Sequence, residues 1–431
     1  MFAKPKKTHE VFGISTEILP DSYVNRGKLD EELQLYLSRP QHVALRGESK
    51  CGKSWIRQKN LPDALVVQCR LNKKPRDLYA DALSQLGLHL VTGRQTDTKG
   101  TLKLEANGEI GVNILAKLAA TMGFQIELGQ GVASTPVGQD LDDLRFVSAI
   151  IAASGRRLVI EDFHYLSPAE RKAFAFDLKA LWDYKTYVVI IGIWSENNLL
   201  LHLNPDLSGR IFEMKLYWNT DDLNSVLQQG SVALNIRFSS DITARLVEAS
   251  YGTVGILQQL TLGTLDESRI LDAQKTSVEI ADIGAFESAA MSYAEQLNAL
   301  YQTFAKRVAA GIRQRQNSTG IYAHMLKVVL AADDKKLSDG MHTDEIFTEA
   351  HKLEPRVQKP NLRQILLKID SIQIDEDGRG LILSYDENKD EVFVVDRQLF
   401  LYRKYATVRW PWEQLIEEAD GLVSAYEGSD A

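Results

Sequence analysis

The sequence predicts an α/β protein in which a parallel sheet carries a glycine-rich loop and a smaller C-terminal domain follows. Short apolar strands alternate with amphipathic helices in the first half of the chain, a pattern typical of a parallel sheet. A glycine-rich loop follows the first of these strands. Three helical segments and then two short strands are predicted between residues 321 and 409.

The glycine-rich loop, Gly47 to Ser54, matches G-x-x-x-x-G-K-[ST] in full. An apolar strand at 42–45 precedes it, and a helix can begin after it at Trp55. Backbone N–H groups of such a loop point at phosphates, and the helix N-terminus adds partial positive charge. We therefore expect Lys53 to contact the β- and γ-phosphates of ATP and the Ser54 hydroxyl to hold Mg²⁺. The predicted nucleotide-binding residues of the loop are Gly47, Glu48, Ser49, Lys50, Cys51, Gly52, Lys53, Ser54 and Trp55.

Two carboxylates, Glu161 and Asp162, follow a buried strand at 158–160. A phosphoryl-transfer site needs one carboxylate for the Mg²⁺ shell and another to orient the attacking water. The usual order is Asp followed by Asp or Glu, whereas Glu comes first here, so the division of the two roles stays open. We predict that both residues are catalytic and that both, with Ser54, hold Mg²⁺.

Length and composition limit the class of protein. The 431 residues are too many for one hydrophobic core, so two to four domains are expected. There is no apolar run of 18 residues and no secretory signal, which predicts a cytoplasmic protein without a membrane partner. Cys51 lies in the loop, so no structural disulfide with Cys69 is expected. A net charge of −8 argues against a surface that is basic throughout and binds nucleic acid, but it permits a local basic face.

Residues 94–138 interrupt the alternation of strands and helices. Residues 101–114 alternate around Asn107-Gly108, which is the strongest short hairpin signal. A further strand is predicted over 123–128. These patterns predict a β-rich insertion within a core that spans 41–218.

The C-terminal segment has the element order of a winged helix. In its third helix, four apolar side chains starting at Leu362 share one face, so Asn361 and Arg363 can project outward. Residues 413–431 carry six acids and no bases, which predicts a solvated tail. The predicted helices and strands of this segment are 321–332, 343–353, 360–369, 381–385 and 391–395.

Charge around the third helix supports two interpretations of this segment. Basic residues border the helix, which favours a surface for duplex DNA. The hairpin tip carries Asp386, Glu387 and Asp390, which would repel phosphates and favours docking of a protein. The predicted DNA-binding residues are Lys359, Asn361, Arg363 and Lys368.

The ordered motifs resemble those of an AAA+ P-loop ATPase of the origin-recognition (initiator) type and of the related signal-transducing STAND ATPases. The resemblance is specific at Gly47–Ser54, which matches Walker A, and at Leu158–Asp162, which matches Walker B. It covers most of the chain. The domains it implies are an N-terminal adenine-side segment at 1–40 with Tyr23 and Arg26 at the adenine, the ATPase core at 41–218, a helical lid at 219–275, a helical linker at 276–320, and a winged helix at 321–412.

The resemblance also implies roles for residues outside the two Walker motifs. Ser195 and Asn197 lie where the polar sensor-1 residue of the family follows a strand. Arg210 lies where an arginine acts on the nucleotide of a neighbouring subunit. The sensor-2 arginine expected near Gly255 is absent, which favours a slow ATP hydrolase over a motor.

Two functional hypotheses follow from these residues. The first is an ATP-dependent switch that self-assembles and binds duplex DNA, in anti-phage defence or mobile-element biology. The alternative is a STAND-like signalling ATPase that forms homo-oligomers and recruits or regulates a separate protein effector. A metabolic kinase or nucleotide hydrolase would need a lid with several arginines, which the sequence lacks.

Overall fold

The chain forms two compact units in the computed structural model. The sheet unit comprises 25–47 and 53–216, and the helical unit comprises 1–24, 48–52 and 217–431. The predicted adenine-side segment at 1–40 is therefore divided between the two units after Val24. The structure describes residues 5–70, 72–91, 103–106, 108–122, 125–127, 132–134, 141–194, 197–311, 320–374, 380–413 and 416.

The sheet unit alternates strands and helices, as the sequence predicts. In chain order its elements are α1 (Leu29–Leu37), β1 (His42–Arg46), α2 (Lys53–Asn60), β2 (Leu65–Gln68), α3 (Pro75–Ser84), β3 (Leu88–Val91), β4 (Lys103–Ala106), α4 (Gly108–Met122), β5 (Gln125–Glu127), β6 (Val132–Ser134), α5 (Leu144–Ser154), β7 (Leu158–Glu161), α6 (Pro168–Asp183), β8 (Val189–Gly192), α7 (Leu199–Leu203) and β9 (Ile211–Lys215).

Five of these strands form one parallel sheet in the order β2-β7-β8-β1-β9. The strands are short and almost fully apolar because helices cover both faces, as is usual for parallel sheets. β8 separates β1, which precedes the glycine-rich loop, from β7, which ends in Glu161. Parallel strands end at the same edge, so Lys53 and the two carboxylates follow strands that finish on one side of the sheet.

The insertion differs from its prediction in one part. β3, β4, β6 and β5 form an antiparallel sheet, and the strand predicted at 123–128 is present as β5. The predicted second strand of the hairpin is wrong, because residues 108–122 form α4. Ile114 and Leu118, one helical turn apart, are buried, whereas Ile110 is exposed. The apolar residues beyond 114 continue at helical spacing, and this longer period outweighs the short alternation around Asn107-Gly108.

His42 at the start of β1 is a buried polar residue with both ring nitrogens used. Its Nδ1 accepts the Val188 N–H at 2.9 Å, and its Nε2 lies 2.8 Å from the Leu178 carbonyl oxygen. Burial lowers the pKa of His42 from 6.5 to about 4. The folded sheet unit therefore keeps this ring neutral under conditions in which the unfolded chain would protonate it.

We expect the sheet unit to lose stability as the pH falls from 6.5 to about 4. In that window the unfolded chain binds a proton at His42 that the folded chain does not, which costs about 3 kcal/mol of unfolding free energy in total. Urea unfolding at several pH values on both sides of 6.5 measures the slope of the unfolding free energy against pH. In His42→Gln, which cannot titrate, the slope should be smaller; equal slopes in the two proteins would contradict the prediction.

The helical unit continues the chain after β9. Its elements are α8 (Thr220–Leu234), β10 (Ile236–Phe238), α9 (Ser240–Ala249), α10 (Val254–Glu267), β11 (Val278–Ile280), α11 (Ile283–Ala310), α12 (Ile321–Ala331), α13 (Asp334–Asp339), β12 (Met341–His342), α14 (Thr343–Leu353), α15 (Lys359–Leu366), α16 (Ile369–Gln373), β13 (Leu383–Asp386), β14 (Glu391–Val394) and α17 (Gln398–Tyr405).

One continuous hydrophobic core runs through this unit. The long helix α11 packs against α10 on one side and against α12, α16 and α17 elsewhere along its length. Side chains from the N-terminal segment join the same core, and the Phe12 ring lies against Gly230, where a β-carbon would be only 2.0 Å away. The predicted boundaries of lid, linker and C-terminal domain fall inside this core and stay predictions.

The predicted elements of the C-terminal segment are present, and α13, β12 and α17 are found in addition. The strands β13 and β14 pair as a hairpin, and the short β12 pairs with the other edge of β14. The predicted third helix is divided into α15 and α16, and α17 follows the hairpin. Among the described residues, no helix is both long enough and apolar enough to span a membrane.

Candidate phosphate-binding site

The glycine-rich loop connects β1 to α2 as predicted. β1 ends at Arg46 and α2 begins at Lys53, so the loop comprises residues 47–52. The Lys53 ammonium folds back and donates to the Gly47 carbonyl oxygen at 3.0 Å. Lys50 and Gly52 have φ angles of 58° and 91°, in the left-handed region. Such an angle costs glycine little but is strained for lysine, so the loop conformation needs support from its surroundings at Lys50.

That support comes from the helical unit, to which residues 48–52 belong. The Glu48 carboxylate forms an ion pair with Arg397, just before α17. The Lys50 ammonium donates to Gln398 Oε1 at 2.5 Å, and the Trp218 indole N–H donates to the Cys51 carbonyl oxygen at 2.9 Å. Sequence reasoning missed Arg397 and Gln398, because nothing in their local pattern marks them as partners of a loop some 350 residues earlier.

Gly255 approaches the loop too closely for any side chain. Its N–H donates to the Lys50 carbonyl oxygen at 3.1 Å. A β-carbon at this position would lie 2.6 Å from Lys50 Cβ and 3.0 Å from that same oxygen. The arginine that the family resemblance places near here is therefore sterically incompatible with position 255 itself.

The two carboxylates after β7 have different surroundings. Glu161 is 7% exposed, and its Oε1 lies 3.1 Å from Arg57 Nε on α2. Asp162 has a left-handed φ of 58°. Burial raises the pKa of Asp162, the neighbouring Glu161 charge raises it further, and the Lys53 ammonium acts in the opposite direction. Arg57 thus neutralises Glu161, while Asp162 lies within electrostatic reach of Lys53.

Cys69 lies near the same carboxylates. Burial, reinforced by the Asp162 charge, raises the pKa of the Cys69 thiol to about 12. Cys51 and Cys69 are both buried and free. The Cys69 thiol is consequently protonated and unreactive at neutral pH.

Asn197, one of the two sensor-1 candidates, is hydrogen-bonded to Arg46 through its side-chain oxygen. Arg46 is buried and its Nε lies 2.7 Å from Glu213 Oε1 on β9. Glu213 also accepts from the Trp194 indole and the Asn198 N–H, at 3.0 and 2.9 Å. Asn197 is thereby held against the side chain of Arg46, the last residue of β1. The other candidate, Ser195, lies outside the described residues.

The sequence carries one signal for this network, a charged residue within an apolar strand. Arg46 is the only charged residue in β1, and it occupies a buried strand position immediately before the loop. A buried charge needs a partner, so a carboxylate on a neighbouring strand was to be expected. Glu213 on the adjacent β9 is that partner.

Arg210 is engaged within its own chain. Its guanidinium stacks over the Trp182 ring at 4.8 Å and donates to the Asp206 carbonyl oxygen. To act on the nucleotide of a neighbouring subunit, the side chain would have to leave these contacts. Its proposed role in trans stays a prediction.

The two predicted adenine-side residues lie in different units. Tyr23 is half-buried in the helical unit, and Arg26 is 8% exposed in a 3-10 turn of the sheet unit. Their contact with an adenine stays a prediction.

The predicted DNA-binding residues are exposed, but two of them are paired with acids. Lys359 forms an ion pair with Asp344, and Arg363 Nε lies 3.7 Å from Asp390 Oδ1. Asn361 and Lys368 are exposed on the same part of the chain. These acids are distant in sequence from α15, and the fold brings them next to it from α14 and the hairpin tip. The predicted basic surface is therefore close to charge balance.

A solved structure shares this fold, although no family model and no curated protein matches the sequence. A Walker-type ATPase of Pyrococcus abyssi is 13% identical with a TM-score of 0.50, over 93% of this chain and 99% of that one. Two further structures are less similar, each with a TM-score of 0.36. The Aeropyrum pernix Orc1 protein in complex with DNA is 11% identical, over 88% of this chain and 90% of that one. A STAND protein with a tetratricopeptide repeat sensor from Pyrococcus horikoshii is 12% identical, over 92% of this chain and 43% of that one.

The first of these likenesses establishes the fold alone. The chain shares the α/β fold of that structure, with five parallel strands in one sheet, which confirms the predicted α/β class and its parallel sheet.

Proposed function

We propose that this protein is an ATP-dependent molecular switch that binds ATP with Mg²⁺ at residues 47–54 and hydrolyses it slowly. The observation that carries the proposal is the placement of Lys53. It begins α2 directly after the loop, and its charge acts on Asp162 at the end of a strand of the same sheet. A lysine, a helix N-terminus and a nearby carboxylate are the groups that a nucleotide polyphosphate with its cation requires.

The residues present fit such a ligand. Lys53 would hold the terminal phosphates, and the exposed Ser54 would hold Mg²⁺ together with Glu161 or Asp162. Among the described residues, no cluster of three or more His, Cys, Asp or Glu side chains could hold a metal. This agrees with Mg²⁺, which is usually held by one or two carboxylates and the substrate phosphates. When bound, the ion supplies charge neutralisation on the phosphates.

The two carboxylates can be given separate roles within this proposal. Asp162, with its raised pKa and its position near Lys53, suits the residue that orients and deprotonates water. Glu161, held by Arg57, suits the Mg²⁺ shell, where Arg57 and the cation would compete for one carboxylate. Hydrolysis is proposed to be slow because Gly255 leaves no room for an arginine at that position.

Calorimetric titration with ATP and Mg²⁺, followed by a phosphate-release assay, tests the proposal. Saturable binding with slow release of phosphate is expected. A protein that shows no saturable binding under these conditions is not an ATP-dependent switch.

Self-assembly is part of the same proposal. Arg210 would act across the interface after leaving Trp182, so ATP should promote association. Light scattering with ATP and Mg²⁺ measures the association directly. If the protein stays monomeric under these conditions and still hydrolyses ATP normally, Arg210 has no role in trans.

We further propose that the C-terminal segment, with the element order of a winged helix, carries partner recognition. Duplex DNA is the first candidate partner, through Lys359, Asn361, Arg363 and Lys368. The ion pairs of Lys359 with Asp344 and of Arg363 with Asp390 favour the second candidate, a protein effector, because they reduce the charge available to phosphates. Anti-phage defence or mobile-element biology is the proposed setting of either activity.

If DNA is the partner, we expect Asp344→Asn to strengthen duplex binding and Lys359→Glu with Arg363→Glu to weaken it. Release of Lys359 adds one phosphate contact, which steepens the slope of log affinity against log salt by about 0.9. The double reversal removes two contacts and should flatten that slope by about 1.8. Fluorescence anisotropy with a labelled duplex in a salt series, with ATP present, measures both.

Glu349→Gln is the matched control for this experiment. It releases Lys352, a residue of α14 that is not among the predicted DNA-binding residues, and should leave the slope unchanged. If neither the parent protein nor Asp344→Asn binds duplex DNA at low salt, the protein effector becomes the supported partner.

A further inference from the structure

The phosphate loop contains an acidic side chain whose charge must be balanced before a polyphosphate can approach. Glu48 directly follows Gly47, and its ion pair with Arg397 supplies the balancing charge. Arg397 is held in place by a second bond, from its Nη1 to the Tyr251 carbonyl oxygen at 2.7 Å. The side chains of the pair are 24% and 32% exposed, so both are partly shielded from water. The pair therefore interacts more strongly than a fully exposed one.

A second contact links the same part of the chain to the strained residue of the loop. Gln398 Oε1 accepts both from the Lys50 ammonium at 2.5 Å and from the Tyr293 hydroxyl at 2.6 Å. Gln398 Nε2 donates to Asp396 at 3.0 Å, and Asp396 accepts from the Tyr301 hydroxyl at 3.1 Å. This buried network joins the loop to α17 and, through the two tyrosines, to α11.

We propose that Arg397 and Gln398 are positioning residues for the phosphate loop and that they couple its occupancy to α17. The inference rests on the proposed function, namely that ATP occupies the loop. Arg397 offsets the Glu48 charge, which would otherwise repel the phosphates, and Gln398 holds Lys50 in its left-handed conformation. Coupling between two parts of a protein is reciprocal, so ATP bound to the loop should in turn hold the N-terminal end of α17 in place.

The charge argument is tested with Arg397→Ala, Glu48→Gln and the double variant. Arg397→Ala leaves Glu48 without its counter-charge, and ATP affinity should fall about tenfold, as expected for loss of one charge-assisted contact. In the double variant the repelling charge is also gone, so affinity should return to within about threefold of the parent. Calorimetric titration of the four proteins completes the cycle.

Hydrogen exchange provides a readout that a purely structural role would not move. In the parent protein, ATP should slow exchange of the backbone amides at 398–405. This slowing should be lost in Arg397→Ala and reduced in Gln398→Ala, and it should be absent in Lys53→Ala, which does not load the loop.

Arg403→Ala is the matched control on the same helix. Arg403 contacts the Ala332 carbonyl oxygen and Asp334, both within the C-terminal segment and not in the loop. It should leave ATP affinity at the parental value. An equal loss in Arg403→Ala and Arg397→Ala would show that α17 is merely being destabilised and would overturn the inference.

The remaining outcomes separate the inference from the proposed function. If Lys53→Ala abolishes binding while Arg397→Ala leaves both ATP affinity and the exchange of α17 unchanged, the loop binds ATP but Arg397 does not position it. If Glu48→Gln fails to restore the affinity of Arg397→Ala, the charge-balancing role is wrong. If the parent does not bind ATP at all, the proposed function itself fails.

Discussion

Replacement of Lys53 with alanine is expected to remove ATP binding at micromolar nucleotide concentrations. The Lys53 ammonium stands at the start of α2 and donates to the Gly47 carbonyl oxygen at 3.0 Å, a bond that it would exchange for one to a phosphate. A charge-assisted contact of this kind contributes about 1.5–3 kcal/mol, which corresponds to a loss of about 10- to 150-fold in affinity. Calorimetric titration with ATP and Mg²⁺ measures the loss.

Lys59→Ala on the same helix is the control for this variant. Lys59 lies 2.8 Å from Asp30 and stands near the C-terminal end of α2, whereas Lys53 begins that helix. The two variants remove the same charge from one helix, so general changes in charge or helix stability affect them alike. Parental affinity in Lys53→Ala, or an equal loss in Lys59→Ala, would show that Gly47–Ser54 is not the nucleotide site.

Asp162→Asn is expected to keep ATP bound but to slow its hydrolysis by about 10²- to 10⁴-fold, the usual contribution of a general base. The carboxylate must be ionised to accept a proton from water. Because the pKa of Asp162 is raised, the rate of the parent should begin to fall at a higher pH than for an ordinary aspartate as the solution is acidified. In Asp162→Asn, the rate of hydrolysis should not show this fall on acidification. Phosphate release over a pH series, at saturating ATP, measures both effects.

Glu161→Gln separates the roles of the two carboxylates. If Glu161 belongs to the Mg²⁺ shell, this variant should need more Mg²⁺ for half-maximal hydrolysis, whereas Asp162→Asn should not. Asp183→Asn is the control, because Asp183 pairs with Lys179 on the exposed face of α6. If both Glu161→Gln and Asp162→Asn hydrolyse ATP at the parental rate, these carboxylates have no part in the reaction.

Much of the sheet unit could be predicted because its signals are local. Gly47–Ser54 and its flanking residues encode a strand, a turn and a helix start. The apolar run before Glu161 is short and consists largely of β-branched residues, which favours a strand over a helix. The same reasoning failed at 109–114, where a short alternation and a longer helical period overlap and the packing of α4 against α5 decides between them.

The surroundings of the candidate site could not be predicted, because they depend on residues that are distant in sequence. Arg397 is separated from Glu48 by nearly 350 positions, and no periodicity connects them. The charge balance around α15 was missed for the same reason, since Asp344 and Asp390 come from other elements. Local patterns identify which residues carry chemistry, whereas the fold determines which charges face them.

The close approach of Gly255 to Lys50 limits how this protein could change. Any substitution at 255 introduces a β-carbon that meets Lys50 Cβ and the Lys50 carbonyl oxygen, neither of which can move without the backbone, so relief would require the phosphate loop to shift. A faster hydrolase therefore cannot arise by a single exchange of this glycine for arginine. Substitutions that raise the rate of hydrolysis would first have to move the loop away from α10, or supply a cation from another element such as the start of α17.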